Sequence, residues 1–142
     1  MKLSKPIVLF AFVAEKSGLT KTAQSCYRFA AESMESRDAW FRLGRMAYQK
    51  GDWEKAAGFY AHASRVAPDD AESHFKLGLC RMKLGHWQDA ERSLGAALRL
   101  DPRRGQWRSH YNEVLGKLGR KPVLWDDVEP PRFDLWGVSR LL

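Results

Sequence analysis

The sequence predicts an all-α fold, a solenoid of antiparallel helix pairs, and three observations carry that reading. The chain repeats itself with a period of 34 residues, small residues recur where two helices must meet, and helix-stopping residues recur at the same phase. Arg37 to Asp70 and Ala71 to Arg104 overlay without a gap. Trp40, Leu43, Gly44, Gly51, Trp53, Ala56, Tyr60, Ala63 and Pro68 of the first copy fall on His74, Leu77, Gly78, Gly85, Trp87, Ala90, Leu94, Ala97 and Pro102 of the second. A period of this length marks a supersecondary unit that cannot bury its own apolar faces, so about three copies are needed for a stable stack.

The elements follow in chain order. Residues 4–36 form a degenerate first repeat, in which Ile7, Phe10, Ala11, Ala14, Gly18, Ala23, Tyr27 and Ala30 keep the spacing; it is one residue short and lacks the terminal proline. Lys2, Lys5 and the apolar run Pro6 to Ala14 imitate a secretory signal, but the run is short and the repeat register passes through it, so it is read as the leading helix. In repeats 37–70 and 71–104, Gly51 and Gly85 suit a left-handed helix stop, and Asp52 suits the N-cap of the following helix. Gly44 is expected to face Ala56, and Gly78 to face Ala90, where small side chains let helix backbones approach. Pro68 and Pro102 end the second helix of each pair, because proline lacks a backbone donor and restricts the residue before it. Residues 105–119, with Trp107, Tyr111, Val114, Leu115 and Leu118 at helical spacing, form a capping helix that closes a domain over 1–120. Residues 121–142 read as a proline-containing linker and an apolar tail. Its Phe133, Leu135, Trp136, Val138, Leu141 and Leu142 suggest docking on this domain, on a second copy or on a further domain.

The spacing and residue pattern of the two clear repeats resemble the tetratricopeptide repeat family, and the resemblance extends more weakly over the first repeat and the capping helix. It implies a right-handed superhelix of three repeats plus a cap, and a partner-binding concave face lined by the leading helices. By that analogy the second, fifth, ninth, twelfth and thirteenth positions of each repeat face the groove. They include Val8, Phe12, Phe41, Arg45, Tyr48, Phe75, Leu79, Met82 and Lys83, with Lys5, Glu15, Lys16, Asp38, Gln49 and Glu72 beside them. Family members that grip a terminal carboxylate use lysine and asparagine at the fifth and ninth positions; here these are Val8, Phe12, Phe41, Arg45, Phe75 and Leu79, so that function does not carry over. An apolar groove flanked by Arg45 and Lys83 suits an amphipathic or extended segment with aliphatic anchors and an acidic residue. The alternative is that Phe41, Phe75 and Leu79 pack within the core.

The chain carries a formal net charge of +7, and residues 99–121 contribute +5 of it through Arg99, Arg103, Arg104, Arg108, Lys117, Arg120 and Lys121. This cluster could take nucleic acid, anionic lipid or an acidic polymer, or could be solvated arginines near helix ends. The tail from Pro122 has a net charge of −2 and could neutralise part of it. Cys26 and Cys80 read as small buried hydrophobes, and the four histidines show no ligand spacing, so neither a metal nor a cofactor is expected. No phosphate-binding glycine loop, GxSxG elbow or HExxH occurs, which argues against an enzyme. No apolar run approaches a membrane span, and a cytoplasmic location is expected. Two functions compete: a non-catalytic protein-interaction scaffold that holds a peptide, a helix or its own tail, and an accessory or oligomerisation module of a larger enzyme, such as a cell-envelope polymer glycosyltransferase, with the basic patch on a polyanion.

Overall fold

The computed structural model describes residues 4–125, and among them every regular element is helical. The helices are α1 (Ser4–Lys16), α2 (Thr20–Met34), α3 (Arg37–Gln49), α4 (Trp53–Val66), α5 (Ala71–Lys83), α6 (Trp87–Leu100) and α7 (Gly105–Lys117). Each packs chiefly on the helices before and after it in sequence, which makes the molecule a solenoid of three helix pairs followed by one closing helix.

The ends of these helices have local causes. Ser36, Asp52 and Asp70 cap α3, α4 and α5, each accepting a hydrogen bond from the backbone N–H three residues on, at 3.4, 3.2 and 3.2 Å. Gly51 and Gly85 adopt φ of +76° and +74°, so the chain reverses between the helices of a pair without strain. α4 and α6 stop at Val66 and Leu100, two residues before Pro68 and Pro102. The first pair ends differently: Glu35 takes the left-handed conformation at φ +46°, a role glycine fills more easily.

Close approach within a pair depends on Gly44 and Gly78. A Cβ at Gly44 would stand 2.9 Å from the ring of Tyr60, and one at Gly78 would stand 2.7 Å from the side chain of Leu94. Both neighbours are fully buried, so neither can swing aside. The glycines make room for the large residue one turn beyond Ala56 or Ala90.

Three apolar layers run along the axis. Ala11, Ala14, Ala23, Tyr27 and Ala30 pack with Ala39, Leu43 and Met46; Ala56 and Tyr60 pack with Leu77 and Cys80; Ala90, Leu94 and Ala97 pack with Trp107 and Val114. Each layer therefore ties one helix pair to the leading helix of the next unit. The residues that do this occupy the third, seventh and tenth places of the leading helix. Burial of Cys80 within the middle layer pushes its thiol up to about 12, consistent with a packing role, and Cys26 is half-buried in the first layer.

An ion pair crosses the repeats. Arg37 Nε donates to Asp70 at 2.7 Å, joining the start of α3 to the cap of α5. Burial alone would raise the Asp70 carboxyl, but hydrogen bonds from Ser73 and Arg37 hold it below the ordinary carboxylate range.

Candidate partner-binding groove

On the leading helices α1 and α3, Val8, Arg37, Asp38, Phe41, Arg42 and Arg45 line a cavity of about 300 Å³. Aromatic faces and guanidinium groups alternate in this region. The Arg37 guanidinium lies 4.4 Å from the centre of the Phe41 ring, which also meets Tyr60 edge-on at 5.2 Å. Arg42 lies 4.8 Å from the Phe12 ring, with the Lys16 ammonium 5.6 Å from it.

The charges are unequally compensated. Arg45 donates to Glu15 at 2.7 Å, and Glu15 also accepts from the Tyr27 hydroxyl at 2.9 Å. Burial first and then Glu15 raise the Tyr27 phenol well above its usual range, so it stays a donor. Arg37 is shared between Asp38 and Asp70. Arg42 has no acidic partner among the described residues. It holds the sixth place of its repeat, outside the groove positions the sequence suggests, and comes into view through its place in the cavity wall and its contact with Phe12, thirty residues away in sequence.

The remaining groove candidates separate into two groups. Val8, Phe41 and Arg45 are half-buried and line the cavity, and Phe12, also half-buried, is joined to it through Arg42. Phe75, the counterpart of Phe41, is only 8% exposed and stacks on Trp107 of α7 at 4.7 Å, with His110 tilted against it at 5.7 Å. Leu79 and Met82 pack partly buried against the same cluster. Tyr48 meets Trp53 edge-on at 4.8 Å, and exposed Lys83 lies 5.8 Å from the Trp53 ring. The capping helix thus packs over the carboxy-terminal groove candidates, and among the described residues no helix covers the cavity beside Val8 and Phe41 in the same way.

The basic residues spread over the last two helices rather than converging on one point. Arg104 binds Asp101 and lies 5.2 Å from Trp107; Arg108 donates to the Pro102 carbonyl at 2.7 Å and lies 5.1 Å from Trp125. Lys117 lies 5.7 Å from Trp87, and Arg120 binds Glu91. Arg99, Arg103 and Lys121 are exposed. Past α7, Asn112 clamps the backbone of Val123 by donating to its carbonyl at 3.1 Å and accepting from its N–H at 2.9 Å. Trp125 then packs on the last apolar layer and meets Tyr111 at 6.0 Å. The expected docked tail falls mostly on residues 126–142, outside the described ones. Among the described residues, no helix is long and apolar enough to cross a membrane, and no three of His, Cys, Asp and Glu gather as a metal site would require.

Comparison with known proteins agrees with this architecture. A family model described as tetratricopeptide repeat matches residues 37–70 and 71–104. BBSome complex member BBS4 from Bos taurus is 36% identical over 73 residues, which is 51% of this chain and 13% of that protein. Among solved structures, the first TPR of Spaghetti (RPAP3), bound to HSP90 peptide SRMEEVD, superposes with a TM-score of 0.72 at 13% identity, covering 82% of this chain and 93% of that one. YrrB, described as a TPR protein with an unusual peptide-binding site, gives 0.72 at 21% identity, covering 80% of this chain and 59% of that one. MamA gives 0.71 at 18% identity, covering 80% and 63%. At these identities the structural likenesses establish the fold. The chain spans a small part of the BBS4 length and less than two thirds of MamA.

Proposed function

With residues 37–70 and 71–104 being tetratricopeptide repeats, we propose that this chain is a protein-interaction scaffold that holds a peptide segment in the amino-terminal half of its concave face. The observation that carries the proposal is the cavity between α1 and α3, lined by Val8, Phe41 and Arg42, whose guanidinium lies over the Phe12 ring and has no acidic partner among the described residues. Such a surface suits a segment with an aliphatic or aromatic anchor beside Val8 and Phe41 and an acidic residue at Arg42. Two solved relatives in fold are described as peptide-bound or peptide-binding proteins, which supports the reading at the level of ligand class.

The test is selection of a displayed random peptide library on the full chain, followed by anisotropy titration of the enriched peptides. Enriched sequences are expected to pair an apolar anchor with an aspartate or glutamate. Phe12→Ala and Arg42→Ala are each expected to weaken binding by about tenfold, the scale of one aromatic or charged contact. Peptides that bind equally well to both variants would place the site elsewhere.

A further inference from the structure

The segment that follows α7 turns back along that helix. Asn112 holds the backbone of Val123 with one donated and one accepted hydrogen bond, at 3.1 and 2.9 Å. Two residues further on, Trp125 meets Tyr111 at 6.0 Å and lies 5.1 Å from the Arg108 guanidinium. The contacts on α7 step back from 112 to 108 while the segment advances from 123 to 125, about 6 Å along each. Arg104 stands one further turn back, at the amino-terminal cap of α7. The segment therefore heads into the basic cluster.

Positive charge and hydrogen-bond donors gather where it arrives. Arg108 lies against Trp125, and Arg99 of α6 acts on the same ring pair: its charge pulls the Tyr111 phenol down, against the stronger upward push of burial and Glu91. Glu91 is already bound to Arg120, and Arg99 has no acidic partner among the described residues. The Trp125 indole N–H is buried and meets no acceptor among the described residues. A buried donor beside unmatched cations calls for an anionic acceptor.

We infer that the acidic run Asp126, Asp127 and Glu129 docks on this basic face within the same chain, so that the cluster ending the solenoid is covered by the chain's own segment. Continuity, reach and charge select this occupant. Asp126 and Asp127 follow Trp125 directly, and two residues of chain span at most about 7 Å in any conformation. Residues 126–129 carry three carboxylates and no basic side chain, against the +5 of residues 99–121. Carboxylates tethered beside the site act at high effective concentration, so a separate anionic ligand reaches this face by displacing them. The inference is independent of the groove between α1 and α3.

The experiment places cysteines in the full chain carrying Cys26→Ser; Cys80 is fully buried and stays unreactive. Val128→Cys is paired with Gly105→Cys at the amino-terminal end of α7, or with Gly116→Cys eleven residues on, about 16 Å along the helix. A Cβ at either glycine meets open space, and every charge of the cluster is kept. With a short bismaleimide, the pair at 105 and 128 is expected to bridge at least about tenfold faster than the pair at 116 and 128. Asn112→Ala, which breaks the clamp on Val123 without changing net charge, is expected to abolish that preference. The same variant, with helix content like the parent's, is expected to bind fluorescent heparin about tenfold more tightly at low salt. Equal bridging of the two pairs in the parent would overturn the docking. A bridging preference unmoved by Asn112→Ala would overturn the role of the clamp, and an unchanged heparin affinity would overturn the covering of the cluster.

Discussion

Phe41 and Phe75 occupy the same place in two repeats, yet one lines an open cavity and the other lies in the core. The difference comes from the neighbour that follows. Beyond Phe75 stands Trp107, which stacks on it at 4.7 Å, whereas Phe41, packed partly buried on the middle layer, meets the edge of Tyr60 and the Arg37 guanidinium. A capping helix with a tryptophan at its third place converts a groove position into a core position. The residue type at the groove position is the same; the surface available to bury it is not.

That contrast can be broken most forcefully at Trp107. Replacing it with alanine should cost about 3–5 kcal/mol in urea unfolding, as for other buried aromatics, and should expose Phe75 to quenchers or dyes. The corresponding change at Phe12, which is half-buried, should cost under about 1 kcal/mol while weakening peptide binding. Equal losses at the two sites would mean that the groove is not open at its amino-terminal end.

A second comparison sets the glycines against each other. Gly78→Ala should destabilise by about 1–3 kcal/mol despite better helix propensity, because the new methyl meets Leu94 at 2.7 Å and its backbone N at 3.3 Å. Gly44→Ala should cost less, since the nearest atoms it meets, at 2.9 Å, belong to the Tyr60 ring and none of them to backbone. Thermal melts of the two variants side by side would expose a reversed order.

The ion pair that spans the repeats gives a pH-dependent version of the same test. Asp70→Asn should cost about 1–2 kcal/mol at neutral pH, because asparagine still caps α5 but no longer offers Arg37 a charged acceptor. Because the Asp70 carboxyl is depressed in the folded chain, its stabilisation is present in full above the unfolded value of about 4 and is lost as pH falls through the folded one. The gap between parent and variant should therefore narrow in acid, as urea midpoints at pH 7 and pH 3 would report. The smallest effect expected is a gain. Glu35→Gly should stabilise by up to about 1 kcal/mol, by relieving a left-handed conformation at φ +46°. An unchanged melting temperature would show that Glu35 is not strained.

Much of the fold was legible because its signals are local. Asp52 caps the residue three places on, Gly51 stops the helix that ends beside it, and Pro68 ends the helix just before it. Packing partners were less so. How closely Gly44 meets the Tyr60 ring depends on how far one helix slides along the other, which spacing within each helix leaves free. Asn112, an ordinary polar residue on a helix, gave no sign that it would hold the backbone of Val123.

The amino-acid sequence by itself determined the period, the helix ends and the small-residue positions, since each follows from interactions within a few residues of chain. Only the tertiary structure decided which candidate groove residues are buried, that Arg42 beside the cavity lacks an acidic partner among the described residues, and which α1 residues are exposed. Those properties belong to surfaces built from residues thirty or more positions apart, and their burial depends on which helix stands beside them in space.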